Sequence, residues 1–121
     1  MSFDMEQRPL YEVKAGLFKG LSHPIRIRIL ELLSNAPEAS VAQLQADTEL
    51  EASHLSQHLT VLRRHRLVVS DRRGSHVYYA LAYPEVAELL TTARSLLLRI
   101  VSTDGKRVAD AAALPPLGAG V

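Results

Sequence analysis

Apolar residues recur at helical spacing in five separate segments of the chain. The first segment begins at Pro9, which suits the first turn of a helix, and the second follows Ser22, a good N-cap residue. Ser40 and Gln43 have the spacing of a capping box and open a short third segment. A fourth segment follows a turn, and a long fifth segment starts at Pro84. The pattern therefore predicts a mostly helical protein with about five helices.

Between the fourth and fifth segments the pattern changes to the alternation that is typical of a β-strand. Val77, Tyr79 and Leu81 alternate along one run, so one of the two neighbouring tyrosines should pack inward and the other face out. The preceding stretch Asp71-Arg72-Arg73-Gly74 predicts the turn, because Gly74 can adopt the left-handed conformation that a short hairpin loop needs. Together with the helices, this predicts an α+β fold with a two-stranded hairpin that carries two arginines at its tip.

The fourth helix, predicted to begin near Glu51 after a turn at Asp47 to Leu50, separates its apolar and polar residues onto two faces. Leu55, Leu59 and Leu62 form one apolar stripe. At about 100° per residue the polar residues fall together on the opposite side: these are Ser53, Ser56, Gln57, Thr60 and Arg64. Short donors and acceptors on an exposed helix suit contact with base edges and phosphates. The helix and hairpin therefore indicate a recognition helix and a basic wing, although a helix and hairpin that merely pack together would show a similar pattern.

Charge is distributed unevenly, and this distribution is more informative than the net charge of +1. Residues 1–50 hold five Lys and Arg against seven Asp and Glu, a balance of −2. Residues 51–79 hold five against two, a balance of +3, and residues 80–121 hold four of each sign. A locally basic patch on a near-neutral protein is typical of a small DNA-binding module.

The length of 121 residues indicates one domain. We expect a flexible arm over residues 1–8, a folded domain over residues 9–102, and a disordered, Ala-rich tail over residues 103–121. No run approaches the roughly 20 apolar residues that cross a bilayer, and no secretory signal is visible, so we expect a cytoplasmic protein without a membrane partner. Without cysteine, disulfides and thiolate ligands are excluded. No nucleophile elbow, phosphate loop or paired-carboxylate motif is present, so we expect neither an enzyme nor a cofactor.

The last helix is apolar over more than one stripe, and a small helical core cannot easily cover both it and the first helix. We therefore expect these two helices to pack against a second copy of the chain. The predicted interface consists of Leu10, Val13, Leu17, Val86, Leu89, Leu90, Ala93, Leu96, Leu97 and Ile100. The competing interpretation is that the last helix completes a monomeric core.

Four motifs follow one another along the chain: LSHPIRIRILELL over Leu21–Leu33, LSQHL over Leu55–Leu59 with the following leucines, Arg72-Arg73-Gly74, and Tyr78-Tyr79-Ala80-Leu81. In this order and spacing they resemble the ArsR/SmtB family of bacterial winged-helix transcriptional regulators, over roughly residues 10–101. The resemblance implies a homodimer that joins through its first and last helices and places two recognition helices in successive major grooves of a palindromic operator. It further implies repression that ends when an effector binds.

The resemblance also implies roles for single residues. Ser53, Ser56 and Gln57 match the positions that contact bases and phosphates, and Arg72 and Arg73 match wing residues that reach the minor groove or backbone. The complete predicted DNA-binding set adds residues that adjoin these positions or begin the third helix: Ser40, Gln43, His54, His58, Thr60 and Arg64.

Two departures from the family bear on regulation. The region Ser40–Gln45 lacks the cysteine pair of the well-known metal sensors, and Glu85–Val101 lacks the histidines that other members use. We therefore expect a regulator that does not use these metal sites and whose effector is unknown. Arg66 stands where many members have glycine, which carries a conformational cost if the backbone is left-handed there.

His54 and His58 stand four residues apart, a spacing that metal ligands on a helix can have. A zinc ion needs one or two further ligands, and His65 and His76 are the nitrogen candidates that the sequence places nearby. A metal ion here would obstruct the DNA-reading surface, so we expect none. A repressor with such a non-standard histidine site, and a winged helix that binds another protein instead of DNA, remain the alternatives.

Overall fold

The computed structural model describes residues 7–102 and Pro115, so most of the predicted arm and tail lies outside the described residues. Within residues 7–102 the five predicted helices are present, and no helix there is long and apolar enough to cross a membrane. The elements in chain order are α1 (Arg8–Leu21), α2 (Pro24–Ser34), β1 (Ala39–Ser40), α3 (Val41–Thr48), α4 (Ala52–Arg64), β2 (Val68–Arg73), β3 (His76–Leu81) and α5 (Pro84–Val101).

The three strands form one antiparallel sheet in the order β1-β3-β2. The hairpin of β2 and β3 was predicted, whereas β1 was not, because two residues are too few to show an alternating pattern. The turn also differs from the prediction. Arg73 pairs with His76, so the loop consists of Gly74 and Ser75, and Asp71 to Arg73 belong to β2. Gly74 has a φ of 64°, the left-handed conformation that was expected.

The core consists of leucine, isoleucine and valine side chains from α2, α3, α4, the hairpin and α5, together with Tyr79. Each such side chain, when fully buried, stabilises the fold by roughly 1.5–3 kcal/mol. The fully buried ones are Ile29, Leu30, Leu44, Leu55, Leu62 and Val68. Tyr79 is buried while Tyr78 is only half-buried, as the alternation predicts.

Two residues of the predicted interface belong instead to this core. Val86 and Leu90 are 7% and 6% exposed, because this face of α5 packs against α2 and the hairpin of the same chain. Leu96, Leu97 and Ile100, further along α5, remain exposed. The prediction for Val86 and Leu90 was therefore wrong, since periodicity alone does not distinguish a face that packs internally from one that packs on a partner.

The start of α2 also differs from the prediction. His23, not Ser22, is the N-cap, and its Nδ1 accepts a hydrogen bond from the backbone N–H two residues later at 3.1 Å. The Ser22 hydroxyl instead donates to the carbonyl of Lys19, at the end of α1. Arg26 donates to the carbonyls of Gly20 and Lys19 at 2.8 and 3.2 Å, so this side chain of α2 satisfies the end of α1.

Helix α4 ends in a Schellman motif that is centred on an arginine. Arg66 has a φ of 60°. Its N–H donates to the carbonyl of Arg63 at 3.0 Å, and the N–H of Leu67 donates to the carbonyl of Leu62 at 3.0 Å. Arg66 therefore holds the left-handed backbone that glycine usually supplies in this motif.

Replacing Arg66 with glycine should increase the free energy of unfolding. A left-handed backbone costs a residue with a side chain roughly 1–2 kcal/mol. Glycine avoids this cost, but its greater conformational freedom stabilises the unfolded chain by about 0.5–1 kcal/mol. We expect a net increase of about 0.5–1 kcal/mol in urea denaturation. Arg64→Gly, in helical backbone, is the matched control and should lower the value by ~1 kcal/mol. A similar loss in both variants would contradict the assigned strain at Arg66.

Candidate nucleic-acid interface

Helix α4 presents a continuous polar face, because its apolar stripe is buried in the core. Leu55, Leu59 and Leu62 are buried, which fixes the rotation of the helix about its axis. Of the residues predicted for this face, His58 is half-buried and the others are exposed: Ser53, His54, Ser56, Gln57, Thr60 and Arg64. The structure therefore brings the predicted side chains of α4 together on one accessible surface.

Helix α3 precedes this surface, and a short turn joins it to α4. The helix extends to Thr48, so Asp47 and Thr48 are helical and not part of the predicted turn. Glu49 follows in the left-handed region, with a φ of 58°. Helices α3 and α4 pack against each other and against α2, which gives the geometry of a helix-turn-helix.

The side chains of Ser40 and Gln43 are used within the fold. The Ser40 N–H donates to Oε1 of Gln43 at 2.8 Å, and the Gln43 N–H donates to the Ser40 hydroxyl at 3.1 Å. This is the predicted capping box, and it fixes the start of α3. Because Oε1 of Gln43 is occupied, its side-chain amide nitrogen is the group left to donate to a ligand.

His58 lies between two other histidines at the edge of the polar face. Its ring centroid is 4.4 Å from that of His23 and 6.4 Å from that of His54. Burial lowers the pKa of His58, and the positive charges of His23, Arg26 and His54 lower it further. The lowered pKa favours the neutral form of His58, which can donate or accept a hydrogen bond.

The neighbour of His58 differs from the prediction. His65 and His76 were named as the nearby nitrogen candidates, but the structure brings His23 there, while the His65 ring lies against Gly20 of α1. His23 was missed because it is far from α4 in sequence. Among the described residues, no group of three or more His, Asp and Glu side chains has the geometry to hold a metal ion.

The β2–β3 hairpin extends beside α4 as an exposed wing, and its two arginines have different surroundings. Arg73 donates two hydrogen bonds of 2.7 Å to the carboxylate of Glu38 and one of 2.9 Å to Asp71. Its guanidinium also lies 4.5 Å from the ring centre of Tyr78. The hydrogen bond from Arg73 lowers the pKa of Glu38, and the same bond raises the pKa of Arg73. Arg73 therefore ties the wing to the segment just before β1.

Arg72 points to the other side of the strand, because successive side chains in a strand alternate. It is exposed, and among the described residues it forms neither an ion pair nor a hydrogen bond. The sequence pattern does not distinguish the two arginines. Glu38 was missed because it lies 35 residues from Arg73, and no local pattern links the two positions.

The α3–turn–α4 unit and the adjacent hairpin define a winged helix-turn-helix domain. Residues 23–70 match the model of the family described as "Bacterial regulatory protein, arsR family". The HTH-type transcriptional regulator Rv0081 of Mycobacterium tuberculosis is 49% identical over 98 residues, which cover 81% of this chain and 86% of the relative. The "Transcriptional repressor SmtB homolog" of Synechocystis is 36% identical over 97 residues, covering 74% and 69%.

Solved structures agree with these sequence comparisons. The crystal structure of Rv0081 superimposes with a TM-score of 0.73 at 50% identity, over 78% of this chain and 95% of that one. The homodimeric winged helix-turn-helix DNA-binding domain Mb0332 of Mycobacterium bovis gives 0.72 at 26% identity, over 80% and 89%. This chain belongs to the ArsR family of bacterial regulatory proteins. The relatives are transcriptional regulators, which confirms the predicted class and the expectation that the chain is not an enzyme.

Proposed function

We propose that this protein is a dimeric repressor that binds a palindromic operator through α4 and the wing. The observation that carries the proposal is the exposed polar face of α4 above a fully buried leucine stripe. In helix-turn-helix proteins the second helix enters the major groove and its first residues contact base edges. Ser53, Ser56 and Gln57 lie in the first two turns of α4 and are exposed. Gln57 carries an amide that can pair with adenine through two hydrogen bonds.

The remaining residues of the proposed surface have supporting roles. His54 lies at the flank, Arg64 supplies a cation at the end of α4, and neutral His58 can donate to a phosphate. The Thr60 hydroxyl donates to the Ser56 carbonyl at 2.8 Å, which leaves its lone pairs to accept from a ligand. At the start of α3, Gln43 contributes its amide nitrogen, and Ser40 acts through the cap that orients it.

The proposed dimer rests on exposed apolar side chains of α1 and α5. Leu10 and Val13 of α1 are 58% and 71% exposed, and Leu96 of α5 is 57% exposed. Leu97 and Ile100 are also exposed on α5, so α1 and α5 each present an exposed apolar surface of the kind that marks interaction sites. The half-buried Leu17 and Leu89 and the exposed Ala93 adjoin it. A two-fold dimer of helix-turn-helix domains requires two similar half-sites, which is the reason for proposing a palindromic operator.

Repression and a cytoplasmic location are proposed from the relatives. The Synechocystis relative is named a transcriptional repressor, and a regulator of this class acts where the bacterial chromosome lies. Because the sequence has no cysteine, any effector must bind without thiolate ligands.

Replacing Gln57 with alanine should weaken binding to the operator by ~1–3 kcal/mol if the amide reads a base. Gln7→Ala, at the exposed start of α1, is the matched control and should leave affinity unchanged. The operator is first selected from genomic fragments, and affinity is then measured by fluorescence anisotropy. Equal affinity of the Gln57→Ala variant and the wild type would remove Gln57 from the reading surface.

The two wing arginines should give different results. Arg72→Ala should weaken binding to all DNA sequences and reduce the slope of log affinity against log salt by about one per protomer, because a phosphate contact is lost. Arg73→Ala should weaken binding with little change of slope, since Arg73 is engaged with Glu38 and Asp71. Glu38→Gln should resemble Arg73→Ala. If Arg73→Ala lowered the slope as much as Arg72→Ala, Arg73 would itself contact phosphate.

The dimer is tested by placing a charge on the proposed interface. Leu96→Glu should produce a monomer at micromolar concentration in sedimentation equilibrium, because a carboxylate would be buried without a partner. Leu98→Glu is the matched control, since at about 100° per residue Leu98 lies roughly on the opposite face of α5. A stable Leu96→Glu dimer would exclude this part of α5 from the interface.

A further inference from the structure

The last turn of α4 brings Arg63 beside the wing. At about 100° per residue, Arg63 and Ser56 project from the helix within about 20° of each other. Nη1 of Arg63 donates to the hydroxyl of Ser70, on β2, at 3.5 Å, which is long for a hydrogen bond. Both Arg63 and Ser70 are exposed. They therefore make the polar face of α4 continuous with the wing.

The positive charge of Arg63 is not compensated by an acidic neighbour. Helix α4 contains no acidic residue, and the acidic residue of β2, Asp71, accepts a hydrogen bond from Arg73. Among the residues that the structure describes, Arg63 forms no ion pair, whereas Arg73 is paired with Glu38. A guanidinium with a single long hydrogen bond keeps its other donors for a ligand, and its planar pairs of N–H groups suit phosphate.

The backbone of Ser70 adds another donor. Strand β2 is an outer strand, because the strand order is β1-β3-β2. In the same register, just beyond the strands, the N–H of Ala82 donates to the carbonyl of Leu67. Hydrogen-bonded and non-bonded pairs alternate in an antiparallel ladder, so Ser70 and Tyr79 form a non-bonded pair and the N–H of Ser70 faces the free edge. Ser70 therefore offers a hydroxyl and a backbone N–H, and both groups commonly donate to DNA phosphates.

We propose that Arg63 and Ser70 bind one phosphate of the operator backbone, next to the phosphate contact proposed for Arg72. This inference rests on the proposed function, because it requires α4 to enter the major groove. A recognition helix contacts base edges with its first residues, and its last turn can then reach the backbone. Val68 is buried against the core, and Ser70 and Arg72 follow it at alternate positions on the same side of β2. The site thus joins the recognition helix and the wing through the DNA backbone between them.

The alternative is a structural role for Arg63, in which its contact with Ser70 holds the wing against α4. Two observations favour phosphate binding. The contact of 3.5 Å is too long to restrain the wing strongly. Arg73 already ties the wing to the segment before β1, through two hydrogen bonds of 2.7 Å to Glu38.

Anisotropy titrations of the full chain with the selected operator, at about 50 and 200 mM salt, test the site. Arg63→Gln should weaken binding and reduce the slope of log affinity against log salt by about 0.9 per protomer. For a dimer with two such sites, wild-type affinity should fall about 12-fold more than that of the variant between these salt concentrations. Arg63→Lys should keep the wild-type slope. Ser70→Ala should weaken binding without changing the slope, because it removes a neutral donor.

Arg8→Gln is the matched control and should leave both affinity and slope unchanged. It removes the same charge from the exposed first residue of α1. Gly20, near the other end of α1, lies beside His65 at the end of α4, and Arg8 is about 18 Å from Gly20 along the helix axis. Because Arg63 and Ser70 are exposed, all variants should keep the wild-type midpoint in urea denaturation.

Combining Arg63→Gln with Arg72→Ala tests whether the two arginines contact separate phosphates. The double variant should reduce the slope by about twice as much as either single variant. The proposal is overturned if Arg63→Gln keeps the wild-type slope, and an equal loss of affinity in Ser70→Ala would then assign Arg63 the structural role. It is also overturned if the double variant has the same slope as Arg72→Ala alone. Absence of DNA binding by the wild-type protein in all conditions would instead overturn the proposed function.

Discussion

The burial of three leucines of α4 is the constraint on which the rest of the structure depends. Leu55, Leu59 and Leu62 insert into the core and fix the rotation of the helix. A rotation by one residue, about 100°, would bury polar side chains without partners and expose apolar ones. The same packing that stabilises the domain therefore presents Ser53, Ser56 and Gln57 to solvent, and no separate interaction is required to orient them.

The wing depends on a different kind of interaction. Beyond Val68 strand β2 is exposed, so little apolar burial holds it in place. Exposed ion pairs stabilise proteins weakly. Arg73, however, donates two hydrogen bonds to Glu38 and one to Asp71, and its guanidinium packs on the ring of Tyr78. Paired hydrogen bonds from a planar guanidinium fix the relative orientation of the groups that they join. We interpret Arg73 as a positioning residue and Arg72 as the cation available to DNA.

The strained turn at Arg66 joins these two parts. It ends α4 and leads into β2, so its backbone conformation sets where the wing begins relative to α4.

Local patterns in the sequence determined the helices, the hairpin and the polar face of α4, because each depends on residues within one or two turns of each other. They also indicated the capping box at Ser40 and the left-handed Gly74. Only the tertiary structure decided that His23 lies beside His58, that Glu38 binds Arg73, and that Val86 is buried in the core while Leu96 is exposed. These features depend on which distant segments pack together, and the period of a single helix or strand does not specify its partner.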